Sequence, residues 1–176
     1  MIFPAQTSRL VLRAWREDDF DAFAAMNADP CVMEYFPAPL TREESAAFFG
    51  HIREEFQTEG FGLYAVERIS DGLLLGYTGL HRVTFDGLCG QIEIGWRLRA
   101  DAWGNGYAPE AAQACLAHAT KLGIEEIIAF TAVANRRSQR VMQKIGMECV
   151  GQFNHPTLPE GHPLRRHVLY WIGIKG

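Results

Sequence analysis

The sequence lacks the features that mark several common classes of protein. Its four cysteines form no Cys-x-x-Cys pair, which excludes a zinc ribbon or a dithiol redox motif and fits reduced thiols. With a net charge of −4, it has no basic excess for nucleic acid or an anionic membrane surface. No apolar run approaches the roughly 20 residues that span a bilayer, and residues 1–9 lack the basic-then-apolar order of a signal peptide. We therefore expect a cytoplasmic protein that contacts neither nucleic acid nor membrane directly.

The composition that remains is that of an ordinary globular protein. Hydrophobic residues make up 48% of the chain and charged residues 22%. A chain of 176 residues is long enough to bury about two-thirds of its unfolded surface in one core. No internal repeat, low-complexity tract or linker divides it. We expect residues 1–176 to form a single domain.

Hydrophobic periodicity and capping residues predict strands interspersed with helices. Alternating or β-branched apolar residues predict strands at 9–15, 62–69, 73–82, 90–98, 127–133, 147–153 and 166–174. Helical spacing predicts helices that begin at Asp18 or Asp19, at Thr41, near residue 109 and at Asn135. This order predicts an α/β (α+β) fold: a mixed sheet of about seven strands, covered on both faces by about four helices, with one parallel pair.

The segment Trp103–Glu110, with the sequence WGNGYAPE, connects the strand that ends at Leu98 to the next predicted helix. Glycines let the backbone approach a ligand closely, and the first turn of a helix offers unpaired N–H groups at the positive end of its dipole. Such a turn either binds a phosphate or simply links two elements. A dinucleotide-binding fingerprint is excluded, because Pro109 stands where that motif needs its third glycine.

Four parts of the chain match one pattern in the same order. They are Thr7–Arg13, Glu93–Trp96, Trp103–Ala111, and Asn135–Ser138 together with Lys144–Met147. Over nearly the whole chain, this order resembles the GNAT superfamily of acetyl-CoA-dependent N-acetyltransferases. The tryptophan that opens the third part replaces the Gln or Arg of the general signature, as in the branch of RimJ/RimL-type ribosomal-protein-alanine N-acetyltransferases. The resemblance implies the GNAT fold, with a twisted and mostly antiparallel sheet.

The resemblance also implies how the co-substrate acetyl-CoA would bind. The backbone of Trp96 and Leu98 would pair with the acetyl and pantetheine groups like an added strand, and Asn135 would bind pantetheine as well as cap its helix. The pyrophosphate would lie on the turn formed by Trp103, Gly104, Asn105, Gly106, Tyr107 and Ala108. No metal is implied, because the thioester is already activated and orientation supplies much of the rate.

Two residues are candidates for the base that deprotonates an amine. Glu93 lies among apolar residues on the strand assigned to the acetyl group; the alternative is a structural carboxylate paired with Arg97 or Arg82. His81, at the end of the preceding strand, is the second candidate; the alternative is a hydrogen-bonded edge residue.

The candidate acid that protonates the thiolate is Ser138. Many family members carry a tyrosine seven residues after the asparagine, but that position is Met142, which cannot donate a proton. Ser138 is the remaining nearby hydroxyl, with helix capping as its alternative role.

An acceptor pocket lined by Tyr35, Phe36 and Phe61 is one interpretation of these aromatic residues, and burial in the core is the other. The histidines at 155, 162 and 167 do not have zinc spacing, so no metal site is expected. The pair Arg165–Arg166 either contacts substrate or is solvated.

Three functions follow from the resemblance. The first is an N-acetyltransferase that acts on a primary amine by direct attack in a ternary complex, the amine being a protein N-terminus, an amino acid or another small molecule. The second is an acetyl-CoA-binding regulatory protein with little transferase activity, and the third is a ribosome-associated modifier. A homodimer is an open option for the quaternary state.

Overall fold

The strands form one eight-stranded sheet in a computed structural model that describes residues 5–174. The strands are β1 (Ala5–Gln6), β2 (Leu10–Arg13), β3 (Leu63–Arg68), β4 (Leu74–Arg82), β5 (Ile92–Leu98), β6 (Glu126–Ala132), β7 (Glu148–Asn154) and β8 (Arg166–Gly173). The helices are α1 (Phe20–Ala28), α2 (Arg42–Glu59), α3 (Tyr107–Lys121) and α4 (Arg136–Lys144). The predicted order of elements is confirmed. The two-residue strand β1 was not predicted, because two residues are too short for a periodic pattern.

The sheet is mixed and mostly antiparallel, as expected. Its strand order is β1-β2-β3-β4-β5-β6-β8-β7, and only the β5–β6 pair among the described residues is parallel. The last two strands exchange places, so that β8 lies beside β6 and β7 forms the edge. None of the helices within residues 5–174 is long and apolar enough to cross a membrane.

Strands β5 and β6 diverge from each other towards their carboxyl ends, whereas β4 and β5 stay paired. Strands β4 and β5 pair over seven residues, from Gly76 opposite Leu98 to Arg82 opposite Ile92. Strands β5 and β6 pair at Glu93 opposite Ile128, with no further register pair between them in the described part of the chain. The end of β5 is therefore left with one unpaired backbone edge.

Each face of the sheet carries its own core. On one face, small residues of α3 such as Ala112, Cys115 and Ala119 let the helix pack closely on the sheet, with Leu80 and Ile94 beneath. On the other face, α1 and α2 form an aromatic core around Phe23, Phe49 and Tyr77. The candidate site described below lies beside the gap between β5 and β6, and elements from both faces of the sheet border it.

Candidate active site

A cavity of about 1250 Å³ opens between β5 and β6. We name its two sides by the elements that form them. The glycine-turn side consists of the turn and helix start at 103–109 together with residues 135–144. The α2 side consists of the cavity-lining residues of α2, the loop at 31–37, and the sheet face that carries His81, Glu93 and Arg97.

The glycine turn has the geometry of an anion site. Gly104 and Gly106 both have φ of 79°, in the left-handed region that residues other than glycine avoid. Gly106 is the N-cap of α3 and has no side chain to satisfy the first N–H groups of the helix. A Cβ on Gly104 would meet no atom within 4 Å. Free backbone donors therefore lie at the positive end of a 15-residue helix, as a pyrophosphate requires.

The first strand region holds the turn in place, a contact that the sequence analysis missed. Arg9 donates from Nη1 to the carbonyl oxygen of Asn105 at 2.9 Å and forms an ion pair with Glu110. Thr7 also donates to Glu110, with Oγ1 and Oε1 2.5 Å apart. Although partial burial opposes it, these bonds lower the pKa of Glu110. Arg9 and Glu110 lie in two stretches that carry the family resemblance, and that coincidence was the available signal.

Within the turn, the side chains of Trp103 and Asn105 have structural contacts. The indole of Trp103 donates to the carbonyl oxygen of Leu98 at 2.9 Å, which ties the turn to the end of β5. Asn105 donates from its side chain to the carbonyl oxygens of Ala102 and Trp103, and it does not line the cavity. The Arg137 guanidinium lies 4.7 Å from the centre of a Trp103 ring. Arg137, Arg140 and Lys144 make this side of the cavity basic.

The pattern of hydrogen bonds between β4 and β5 shows which backbone groups of β5 face the gap between β5 and β6. Arg99 donates its N–H to the carbonyl oxygen of Leu75 at 2.8 Å, so these two residues form a hydrogen-bonded pair of the antiparallel ladder. Such pairs alternate along a strand. The N–H and C=O groups of Trp96 and Leu98 therefore point away from β4, into the gap, as the resemblance implied. The carbonyl oxygen of Leu98 accepts a hydrogen bond from the Trp103 indole. Within residues 5–174, neither Trp96 nor Leu98 has a register partner on β6.

Asn135 and Ser138 meet at the start of α4. The Asn135 side chain accepts from the Ser138 N–H at 3.2 Å and donates to Oγ1 of Thr131 at 3.0 Å. Asn135 is thus the cap of its helix, and Ser138 is in the capped first turn. Both residues line the cavity. Met142 is buried in the core beneath them.

The two candidate bases form one pair. Register places His81 opposite Glu93, and His81 Nε2 is 3.0 Å from Glu93 Oε2. Burial raises the pKa of Glu93, against the opposing effects of His81 and the Phe130 backbone amide. Burial alone would lower the pKa of His81, but the hydrogen bond and charge of Glu93, with a contribution from Glu55, raise it above 6.5.

The pair leaves one ring nitrogen of His81 without a protein partner. Nε2 donates to the carboxylate, so in the neutral ring the lone pair lies on Nδ1. That atom is buried and has no hydrogen-bond partner among residues 5–174. The arginines considered as partners of Glu93 are elsewhere: Arg82 pairs with Glu59 at 2.9 Å, and Arg97 donates to Asn27.

The α2 side of the cavity is acidic and aromatic. Glu54, Glu55 and Glu59 of α2 line it, and burial raises the pKa of Glu55 against the nearby charge of His81. Tyr35 and Phe36 also line this side. Phe61, however, is packed in the core, so the structure does not bring this residue to the predicted acceptor pocket.

His155 and His167, near the carboxyl terminus, line the cavity. The rings of His155 and His167 are 4.9 Å apart and pack with Phe85 and Phe130, and burial lowers the pKa of both imidazoles. No group of three or more histidine, cysteine or acidic side chains suited to a metal ion occurs among residues 5–174. Arg166 is exposed and donates to Gln152 outside the cavity.

Known proteins share this fold and this sequence pattern. A family model described as an acetyltransferase (GNAT) domain matches residues 9–148. The uncharacterized N-acetyltransferase YnaD of Bacillus subtilis (strain 168) is 32% identical over 157 residues, which cover 89% of this chain and 88% of the relative. The crystal structure of a GNAT-family acetyltransferase from Bacillus anthracis has a TM-score of 0.81 and 29% identity, with 99% of this chain and 100% of that chain covered.

A more distant structure shares the fold alone. Mycobacterium smegmatis RimJ, in complex with CoA-disulfide, has a TM-score of 0.76 at 19% identity, over 98% of this chain and 86% of that chain. The family model covers most of the sequence and spans both the glycine turn and the His81–Glu93 pair. The protein therefore belongs to the GNAT acetyltransferase family.

Proposed function

We propose that the protein transfers the acetyl group of acetyl-CoA to a primary amine by direct attack in a ternary complex, within a single acetyltransferase domain. The observation that carries this proposal is the hydrogen-bonded His81–Glu93 pair, which borders the same cavity as the backbone of Trp96. A thioester held on that backbone and an amine beside the pair would be neighbours. Their orientation would supply much of the rate.

The glycine-turn side suits acetyl-CoA. Backbone N–H groups of the turn would bind the pyrophosphate, with Arg137, Arg140 and Lys144 supplying positive charge around it. The backbone of Trp96 and Leu98 would bind the extended pantetheine arm. The side-chain amide of Asn135, which also contacts Thr131, would form a further hydrogen bond with that arm. Each of these residues borders the same cavity, so a single extended ligand could contact them all.

The α2 side suits the amine. The amine nitrogen would attack the thioester carbon, forming a C–N bond, and the C–S bond would break as the tetrahedral intermediate collapses. His81 Nδ1 would take the proton that the amine loses, while Glu93 holds the ring and stabilises the imidazolium. Ser138, on the opposite wall, is the candidate donor of a proton to the departing thiolate.

The test is acetyl-CoA turnover against a panel of primary amines, with Glu93→Gln and Ser138→Ala alongside the wild type. We expect Glu93→Gln to lower kcat by about 100-fold or more, because it removes the carboxylate that orients His81 and stabilises its imidazolium, and general-base catalysis by a positioned side chain contributes about 10²–10⁴-fold. Its dissociation constant for acetyl-CoA should not change. Acetyl-CoA binding without turnover of any amine would contradict the proposal and favour an acetyl-CoA-binding regulatory protein.

A further inference from the structure

Two arginines are buried to the same degree but have opposite electrostatic surroundings. Arg13 and Arg97 are each 8% exposed. Arg13 donates to both carboxylate oxygens of Asp19, at 2.7 and 2.8 Å, and to Glu67 at 2.7 Å. Arg97 has no ion pair with any of the described residues, and it donates from Nη1 to Oδ1 of Asn27 at 2.6 Å. Burying a charge is unfavourable unless it is paired, so Arg97 is the exceptional one.

Aromatic rings compensate only part of that charge. The guanidinium lies 4.1 Å from the ring centre of Phe36, 5.4 Å from that of Tyr77 and 5.8 Å from that of Phe48. Rings attract the flat face of a guanidinium, whereas its N–H bonds lie in its plane. The Nε atom of Arg97 is buried and has no hydrogen-bond partner within residues 5–174, and the same is true of Nδ2 of Asn27. The cluster has positive charge and unused donors, and the group that would match it is an anion.

The cluster faces the proposed amine site along one strand. Arg97 lines the cavity on the same face of β5 as Glu93, with Gly95 between them. A Cβ on Gly95 would meet no atom within 4 Å, so the strip of strand between the two side chains is open. At roughly 3.3 Å per residue, the two Cα atoms are about 13 Å apart, and both side chains line the cavity.

The other charges on the α2 side direct an anion to the same place. Glu54, Glu55 and Glu59 would repel a carboxylate from the helix wall. The cation of Arg82 is already paired with Glu59. Among the described arginines that line this side, Arg97 is therefore the one without a carboxylate partner, and it can bind a negatively charged group of the acceptor.

We propose that the acceptor is a free aminocarboxylate, such as an amino acid, whose carboxylate binds the in-plane N–H groups of Arg97 while its amine lies towards His81 and Glu93. This inference rests on the proposed acetyl transfer and narrows its substrate class. A protein N-terminus is disfavoured, because its first carboxyl group is an uncharged peptide carbonyl. The positive charge at one end of the open strip and the negative charge at the other match a zwitterion.

The experiment compares acceptors that differ only in the carboxylate. The common L-amino acids with primary amines, β-alanine and γ-aminobutyrate are each assayed beside the matching amide. At least one free acid should be acetylated by the wild type with a kcat/KM about 100-fold above that of its amide, because a buried charged donor left unpaired strongly disfavours the uncharged analogue. Amides acetylated as well as their acids throughout the panel would overturn the inference while leaving acetyl transfer intact.

Substitutions of Arg97 distinguish recognition of the acceptor's carboxylate from a purely structural role of the arginine. Arg97→Met should lower kcat/KM for the preferred acid about 100-fold, mainly through KM, and change the amide by only a few-fold; Arg97→Lys should recover part of the preference. Arg13→Lys is the matched control, a buried arginine outside the cavity, and it should affect acid and amide equally. Equal losses for acid and amide in both Arg97 variants would assign Arg97 a structural role and overturn the inference.

A binding measurement keeps the two proposals distinguishable. Calorimetry in the presence of coenzyme A should show the preferred acid binding to the wild type, and binding at least about 100-fold weaker to Arg97→Met. If no amine is acetylated but the acid still binds through Arg97, the proposed transferase function fails and the inference about the ligand stands. If neither acid nor amide binds the wild type in this complex, the inference fails.

Discussion

The two sides of the cavity offer a ligand different parts of the chain. On the glycine-turn side, most of the candidate contacts come from backbone groups, at the start of α3 and on the open edge of β5. On the α2 side they come from side chains that three separate parts of the chain bring together: His81 on β4, Glu93 and Arg97 on β5, and the glutamates of α2. In the proposed function, the acetyl donor would therefore be recognised mainly by backbone geometry, and the acceptor mainly by side chains.

The pH dependence of kcat/KM tests the α2 side most strongly. Neutral His81 is the form that accepts a proton, and although burial opposes it, Glu93 raises the histidine pKa above 6.5. Activity should therefore fall about tenfold per pH unit below an apparent pKa above 6.5. In Glu93→Gln the carboxylate that raises the histidine pKa is lost, while the burial that lowers it remains. The acidic limb of the pH profile should therefore move to lower pH.

The comparison uses one acceptor for both proteins, so that titration of the amine itself cancels. The pH profile of acetyl-CoA binding to the wild type is the control and should lack this limb. An acidic limb at the same pH in wild type and Glu93→Gln would show that the pair does not act as the base.

Gly106→Ala tests the glycine-turn side alone. A Cβ is disfavoured at φ of 79° by about 1–2 kcal/mol, so the turn should relax away from its anion-binding geometry. We expect KM for acetyl-CoA to rise about tenfold, with the ratio of kcat/KM between different acceptors unchanged. Initial-rate kinetics at varied acetyl-CoA would measure it.

Gly123→Ala is the matched control for that substitution. Gly123 has φ of 71°, open space around its Cβ position, and a place at the other end of α3. It carries similar backbone strain, so the two variants should lose similar thermal stability. A comparable rise in KM for acetyl-CoA in Gly123→Ala would mean that general destabilisation, and not the turn, is the cause.

Arg9→Gln should have a smaller effect than Glu93→Gln or Gly106→Ala. It removes the ion pair with Glu110 and the bond to the Asn105 carbonyl, but Arg9 is partly exposed, and such pairs contribute at most about 1 kcal/mol. KM for acetyl-CoA should rise about two- to fivefold. Arg53→Gln, which removes an exposed pair with Glu17 far from the turn, should leave it unchanged.

The same contact predicts a dependence of stability on pH. Although partial burial opposes it, the bonds from Thr7 and Arg9 lower the pKa of Glu110. Their contribution is thus present above the ordinary glutamate pKa and is lost as pH falls through the lowered value. The stability difference between wild type and Arg9→Gln should be seen at neutral pH and vanish in acid; a difference that persists in acid would contradict this account.

Local signals in the sequence account for most of the fold and for the glycine-turn side. Capping residues such as Thr41 and Asn135 and the left-handed glycines after helices mark element ends, and these caps are present in the structure. The turn at 103–108 is contiguous, so its geometry follows from a few neighbouring residues. Strand β1 was missed because its two residues are held by pairing with β2, a contact that no local pattern encodes.

The α2 side was only partly predictable. Glu93 and His81 were considered as separate candidates, and the β4–β5 register makes them one hydrogen-bonded pair. Arg97 was considered as a partner of Glu93, but it contacts Asn27 and Phe36 instead. Phe61 was expected in a pocket and is packed in the core. In each case the outcome depends on which distant residue a side chain meets.

The sequence alone therefore determined the order of elements, the family and the turn that would bind the acetyl donor, because these follow from short-range spacing and backbone conformation. Only the tertiary structure decided that His81 and Glu93 form a hydrogen-bonded pair, that Arg9 contacts the turn, and that Arg97 is buried without a carboxylate partner among residues 5–174. Those facts depend on strand register and on packing between segments far apart in the chain, which no local pattern specifies.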